Sequence, residues 1–202
     1  MREPDNLLEV DALNPEYLGI IFHADSPRNM DKNSNAIPET KAQKVGVFVD
    51  ADIEIIIKKA REFKLSTIQL HGNESPKTCA DLMNLGYKVF KALQINDQTQ
   101  VQEVEPYKGK CTALLFDTKT EKHGGSGKKF NWNKLDELAT IDKFFLSGGI
   151  NASDVKAILK LNYDNLIGLD LNSNFEIKPG LKDVNMLQTF MNSLQNQPID
   201  IV

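Results

Sequence analysis

The chain alternates between short apolar runs and stretches whose apolar residues return every three or four positions. The first repeat, Pro4 to Leu13, predicts a helix with proline near its start, acidic residues in its first turn and Asn14-Pro15 to stop it. Tyr17 to Phe22 is an apolar run of strand length, followed by a long polar loop from His23 through Asn35. Lys44 to Val49 predicts a second strand. Ile53, Ile56, Ile57, Ala60 and Phe63 then fall on one helical stripe flanked by Lys58, Lys59, Arg61 and Glu62. Thr67 to Leu70 predicts a strand ending at His71-Gly72, and Ser75-Pro76 opens a helix that Gly86 closes. Lys88 to Leu93 is the next strand, and Gln98 to Val104 a weak helix cut off by Pro106. A further strand runs to Asp117. Asn133 to Leu138 reads as a helix, Phe144 to Ser147 as a strand entering Gly148-Gly149, and Ser153 to Leu161 as a helix capped by Ser153. Leu166 to Leu171 is the last strand, and Leu187, Phe190, Met191 and Leu194 mark a closing helix.

The order is thus one helix followed by seven strand-helix units, which implies a parallel sheet with right-handed crossovers. Such a sheet can stay open and be wound on both faces. A leading helix with no strand before it fits better a (β/α)8 TIM barrel lacking its first β-strand, with residues 1–202 as one domain. The strands at 17–22 and 166–171 would then expose unpaired edges.

Composition narrows the partners. With a net charge of −4 and no basic block, nucleic acid is not expected as the main ligand. No apolar run approaches the roughly 20 residues that span a bilayer, and Met-Arg-Glu-Pro-Asp does not resemble a signal peptide, so neither membrane association nor export is expected and a cytoplasmic location is. Cys79 and Cys111 lack metal-type spacing and are expected to be reduced thiols, with no metal bound.

The richest stretch is Leu114 to Trp132, where an apolar strand ends on Asp117 and a Gly/Ser/Lys-rich loop follows. A carboxylate there either caps the next segment or faces a ligand, since parallel α/β folds expose the carboxyl ends of their strands to ligand. The glycines give more backbone freedom than a cap requires, which favours chemistry.

Six stretches taken in order resemble the phosphoribosylanthranilate isomerase family. They are Leu18 to Phe22 with Ser26-Pro27-Arg28, Val45 to Val49, Gln69 to Gly72, Leu115 to Lys119 with Gly124 to Lys128, Leu146 to Ile150, and Pro179 to Asp183. The resemblance implies an Amadori rearrangement of a phosphoribosyl amine, which requires an acid for the ring oxygen and a base for a carbon-bound proton, and no cofactor. It aligns Asp117 with the acid and Arg28 with the residue that holds the anthranilate carboxylate, a task for a planar two-pronged donor. It aligns Gly148, Gly149 and the turn at Asn172, Ser173 and Asn174 with the phosphate site, formed after the last two strands as in other barrels. His71 reads equally as a ligand contact or a structural hydrogen-bonder, and Asp170 equally as a pocket residue or a support of the phosphate loop. Lys119, Lys122 and Lys128 are expected in a lid. The partner implied is a small phosphoribosyl substrate; the oligomeric state stays open.

The chain departs from the family in two places. The family's base is a cysteine in a Lys-Ile-Cys-Gly motif that ends its opening strand, and Met1 stands just past where that strand would end; neither Cys79 nor Cys111 matches the position. The expectation is that the native chain starts upstream and that the chain as it stands is weak or inactive. Asn172 and Asn174 also replace the usual Ser and Gly, and are expected to keep the turn through their tolerance of positive φ. Two alternatives stand beside the isomerase: an impaired phosphosugar-binding barrel, and a sugar-phosphate barrel such as indole-glycerol phosphate synthase, for which Lys91 would be the strand lysine in acid-base work.

Overall fold

The computed structural model of the chain describes residues 1–32, 37–118, 129–139, 141–194 and 200–201. Helix α1 (Pro4–Asp11) leads, and seven strands follow: β1 (Tyr17–Ile21), β2 (Gln43–Phe48), β3 (Thr67–Leu70), β4 (Lys88–Ile95), β5 (Ala113–Thr118), β6 (Phe144–Leu146) and β7 (Leu166–Leu169). Between them run α2 (Ile53–Glu62), α3 (Pro76–Asn84), α4 (Val101–Val104), α5 (Leu135–Leu138) and α6 (Val155–Ile158). A ribbon of β8 (Glu176–Lys178) and β9 (Leu181–Lys182), helix α7 (Val184–Leu194) and β10 (Asp200–Ile201) complete the described elements. No described helix is long and apolar enough to cross a membrane.

Strands β1 to β7 pair in chain order and all in parallel, as the strand-helix alternation requires. That the sheet rolls into a barrel follows from its aromatic contacts. The ring of Tyr17 on β1 meets Phe90 of β4 at 5.2 Å and Phe145 of β6 at 6.1 Å. In a flat sheet these strands would lie about 14 and 24 Å from β1, so the contacts demand curvature. Val45, Phe90, Ala92, Ala113, Leu115 and Phe145 form the inner core around Tyr17. The outer faces of the strands meet the helices in a larger core, where each fully buried side chain such as Ile56, Leu82 or Phe190 contributes about 1.5–3 kcal/mol.

The expected helices at 98–104 and 153–161 are shorter than their patterns. The latter begins as a 3-10 turn, Ala152–Asp154, and its cap is Asn151 rather than Ser153. Asn151 Oδ1 accepts from Ser153 N at 2.9 Å while Asp154 Oδ2 accepts from Asn151 N at 2.8 Å, a reciprocal box that Ser153 cannot form one residue later. The edges expected bare also carry backbone partners. Strand β10 pairs in parallel with β7. Along β1, the nitrogen of Met1 donates to Gly19 O at 2.7 Å and Ile21 bridges to Asn29.

Candidate active site

Asp117 lies near the carboxyl end of β5, in register with Gln94 of β4. Its Oδ1 accepts from the N–H of Thr118 at 2.8 Å, and its Oδ2 accepts from Gln94 Nε2 at 3.2 Å and from His71 Nε2 at 3.0 Å. Gln69 Nε2 lies 2.8 Å from His71 Nδ1, so the ring proton faces Asp117. Burial opposes a charged imidazole here, but the hydrogen bond and charge of Asp117, with Asp170 behind, hold His71 above the usual histidine range. His71, read from the sequence as either a ligand contact or a structural hydrogen-bonder, bonds Asp117 and lines the cavity described below.

The strand after β5 brings Gly148 against this carboxylate, with Gly149 next in the turn. Gly148 and Gly149 have φ of +83° and +72°, the left-handed region that side chains resist. A Cβ on Gly148 would fall 2.3 Å from Thr118 N and 2.7 Å from Asp117 Oδ1. No side chain fits between the turn and Asp117. Gly148→Ala is expected to cost at least about 1–2 kcal/mol from its φ alone. In a domain of this size the melting temperature falls by roughly 2–8 °C, read by circular dichroism.

The turn after β7 is held by amides rather than by positive φ. Asn174 Nδ2 donates to Gly149 O at 2.9 Å and Ile150 O at 3.1 Å, tying the two candidate phosphate turns together. Asn172 keeps φ at −125°, and its Oδ1 accepts from Lys182 Nζ at 3.0 Å. The left-handed conformation expected of Asn172 and Asn174 is thus corrected: these asparagines serve as hydrogen-bonding side chains. Ser173 opens the 3-10 turn Ser173–Phe175 beside them.

A cavity of about 450 Å³ opens beside this cluster, and Arg28, Gln69, His71, Asp170, Asn172 and Lys182 are on its wall. Asp117 reaches it through His71; Gly148, Gly149, Ser173 and Asn174 are not part of the wall. Arg28 forms a side-on pair with Glu176, Nε at 2.9 Å and Nη2 at 2.6 Å from Oε2. Burial opposes ionisation of Glu176, but Arg28 and Lys182 together hold it below the usual carboxylate range. Asp170, open between two placements, faces the cavity and accepts from Ser147 Oγ at 2.8 Å. Burial pushes its carboxyl up, against the Ser147 hydroxyl and His71.

Other expected participants lie elsewhere. Phe90 and Ala92 face the inner core, so Lys91 between them points outward, where its Nζ donates to Leu70 O, Gly72 O, Ala92 O and Glu74 Oε2. It has no access to a substrate, which removes the feature that favoured a synthase. Cys79 and Cys111 belong to the outer core, and burial pushes their thiols up to about 11 and about 12. Lys119, Lys122 and Lys128 fall outside the described residues. Gln69, Gln94, Ser147, Glu176 and Lys182 escaped the reading of the sequence. Gln69, Ser147 and Lys182 stand inside the stretches that carry the family resemblance, and the Pro179-Gly180 turn folds Glu176 back onto Lys182.

A sequence profile described as N-(5'phosphoribosyl)anthranilate (PRA) isomerase matches residues 3–193. The chain is 40% identical to the N-(5'-phosphoribosyl)anthranilate isomerase of Parabacteroides distasonis over 99% of its own length and 93% of that protein's. With the Phocaeicola vulgatus isomerase it shares 38% identity over 98% and 96%. Its fold is similar to the crystal structure of the Thermotoga maritima enzyme, with a TM-score of 0.81 at 25% identity over 98% and 96% of the two chains. A solved isomerase complexed with reduced 1-(o-carboxyphenylamino)-1-deoxyribulose 5-phosphate is similar with a TM-score of 0.78 at 21% identity over 98% and 96%.

Proposed function

Because the chain belongs to the N-(5'-phosphoribosyl)anthranilate isomerase family, we propose that its residues carry the Amadori rearrangement of tryptophan biosynthesis in the following roles. Substrate and product are isomers, so every proton taken must be returned. Asp117 gives a proton to the ring oxygen of the phosphoribosyl group as the bond to its first carbon breaks. The anthranilate nitrogen supplies the electron pair, leaving an iminium. Transfer of the proton on the second carbon to a base then gives an enaminol, which tautomerises to the aminoketose 1-(2-carboxyphenylamino)-1-deoxyribulose 5-phosphate, and a proton passes through solvent from that base back to Asp117.

His71 donates its Nε2–H to Asp117 from the cavity side and fixes the orientation of the carboxyl group, while Arg28 holds the carboxylate of the anthranilate ring. The turns at Gly148-Gly149 and Asn172 to Asn174 hold the phosphate by backbone N–H groups, so an acidic protein binds an anion without a basic surface. The base for the second proton is neither Cys79 nor Cys111, whose thiols are buried among the outer core and held far above neutrality. The observation that carries this reading is the placement of Asp117 against Gly148 and within a hydrogen bond of His71, which joins the acid to the phosphate end of the site.

The test is turnover of freshly made phosphoribosylanthranilate, followed by fluorescence. Arg28→Lys keeps the charge but loses the two-pronged donor. One lost hydrogen bond between charged groups corresponds to a KM roughly 10- to 100-fold higher, with kcat changed far less. A wild-type protein that neither turns the substrate over nor binds the reduced product analogue, or an R28K variant with unaltered KM, overturns the assignment.

A further inference from the structure

The motif Pro179-Gly180-Leu181-Lys182-Asp183 has no part in the chemistry above, yet it builds a distinct device. Strands β8 and β9 pair antiparallel with Glu176 opposite Lys182, and Glu176 Oε1 and Lys182 Nζ approach to 3.5 Å. Glu176 meets the Nε edge of Arg28, with Nε at 3.0 and 2.9 Å from its two oxygens and Nη2 at 2.6 Å from Oε2, and also accepts from Gly180 N at 3.2 Å. Arg28 Nη1 has no protein partner among the described residues. A guanidinium carries five donors. With its side edge engaged on Glu176, its end edge remains for a second carboxylate. Glu176 is thus shared between two cations, Arg28 and Lys182.

Lys182 also donates to Leu171 O and Asn172 Oδ1, both at 3.0 Å, so the same ribbon reaches the turn assigned to the phosphate. Asn6 fastens the ribbon to α1 from below, donating to Lys182 O at 3.0 Å and accepting from Lys182 N at 2.7 Å. The ribbon thereby connects the residue for the aromatic end of the substrate with the turn for its phosphate end.

We propose that Glu176 is a positioning residue for substrate specificity: it holds Arg28 by one edge so that the other edge is presented to the anthranilate carboxylate. This rests on the reading of Arg28 as the anchor of that carboxylate. Without Glu176, Arg28 is a long side chain on a loop, free to adopt orientations that do not bind. Removing a group that only orients a ligand-holding residue typically costs 10- to 100-fold, as for the outer partners of metal ligands.

Steady-state turnover of phosphoribosylanthranilate by wild type, E176Q, R28K and R28K/E176Q, with calorimetric titration of the reduced product analogue and inhibition by inorganic phosphate, tests this. E176Q is expected to raise KM and weaken the analogue by about 10- to 100-fold with kcat little changed. Inorganic phosphate is expected to inhibit E176Q as well as wild type or better, because the variant keeps both cations and loses an anion. The double variant is expected to be no worse than R28K, because Glu176 acts only through Arg28. An unchanged KM in E176Q, a parallel loss of phosphate inhibition, or effects that multiply in the double variant would each overturn the proposal. Should E176Q fail to fold, E176D keeps the charge but withdraws it by one methylene. An intermediate rise in KM then supports the proposal and a wild-type KM overturns it. A wild-type protein that binds the analogue but does not turn over would remove the catalytic reading while leaving the binding comparison to decide the role of Glu176.

Discussion

Asp117→Asn is expected to lower kcat/KM for phosphoribosylanthranilate by about 10² to 10⁴, the loss that accompanies removal of a placed proton donor. The hydrogen bonds around the side chain explain why the fold survives the change. Both carboxylate oxygens accept from donors, Thr118 N on one side and Gln94 and His71 on the other. An amide must set its NH2 group against one of these sides. If it faces His71, the ring can move its proton from Nε2 to Nδ1, provided Gln69 turns to present its carbonyl oxygen. Gln94 is then left facing a donor, a cost of about 1–3 kcal/mol that leaves a folded protein. Fluorescence progress curves at matched folded concentration, with circular dichroism to confirm the fold, measure the effect. A fall of less than about tenfold would remove Asp117 from the role of acid, since general acid catalysis is worth more than that.

Lys91→Met is expected to be the most damaging single change to stability, at about 3–5 kcal/mol. Lys91 and Glu74 form a pair whose side chains are 1% and 4% exposed, 3.0 Å apart. Removing the ammonium strands a buried carboxylate and three carbonyl oxygens, those of Leu70, Gly72 and Ala92. With a urea slope of about 1–3 kcal/mol per molar, the midpoint falls by roughly 1–5 M. The double variant K91M/E74L, which removes both charges, is expected to recover only part of this. Glu74 also accepts from the N–H groups of Asp50 at 2.9 Å and Gly72 at 3.0 Å, and these donors lose their partner. A K91M midpoint equal to wild type would show that the pair adds nothing net. Because Gly72 follows His71, the same variant is expected to lose activity before it loses its fold.

The fold was legible where its signals are local. The stripe at Ile53, Ile56 and Ala60 and the run Thr67 to Leu70 return as α2 and β3, because an amphipathic helix and a short buried strand each carry their own period. Asp117 and Gly148 were legible as neighbours, because consecutive strands of a parallel sheet lie side by side. Lys91 was not. Its strand is apolar on both faces, so no alternation in the sequence separates the residues that look inward from those that look outward. The pair Arg28–Glu176 joins positions 148 residues apart through a ribbon of three and two residues, too short for any period to register. Its only trace in the sequence is a Pro-Gly turn.

The clasp between Asn6 and the backbone of Lys182 closes a span of 176 residues. At a synthesis rate of about 5–20 residues per second, roughly 9 to 35 s separate the emergence of its two halves from the ribosome. For the 148 residues that separate them, about 7 to 30 s of that interval, Arg28 is already made while Glu176 is not. A nascent chain therefore holds most of its barrel wall before it can grip an aromatic acid, and competence for that ligand waits on the synthesis of the ribbon.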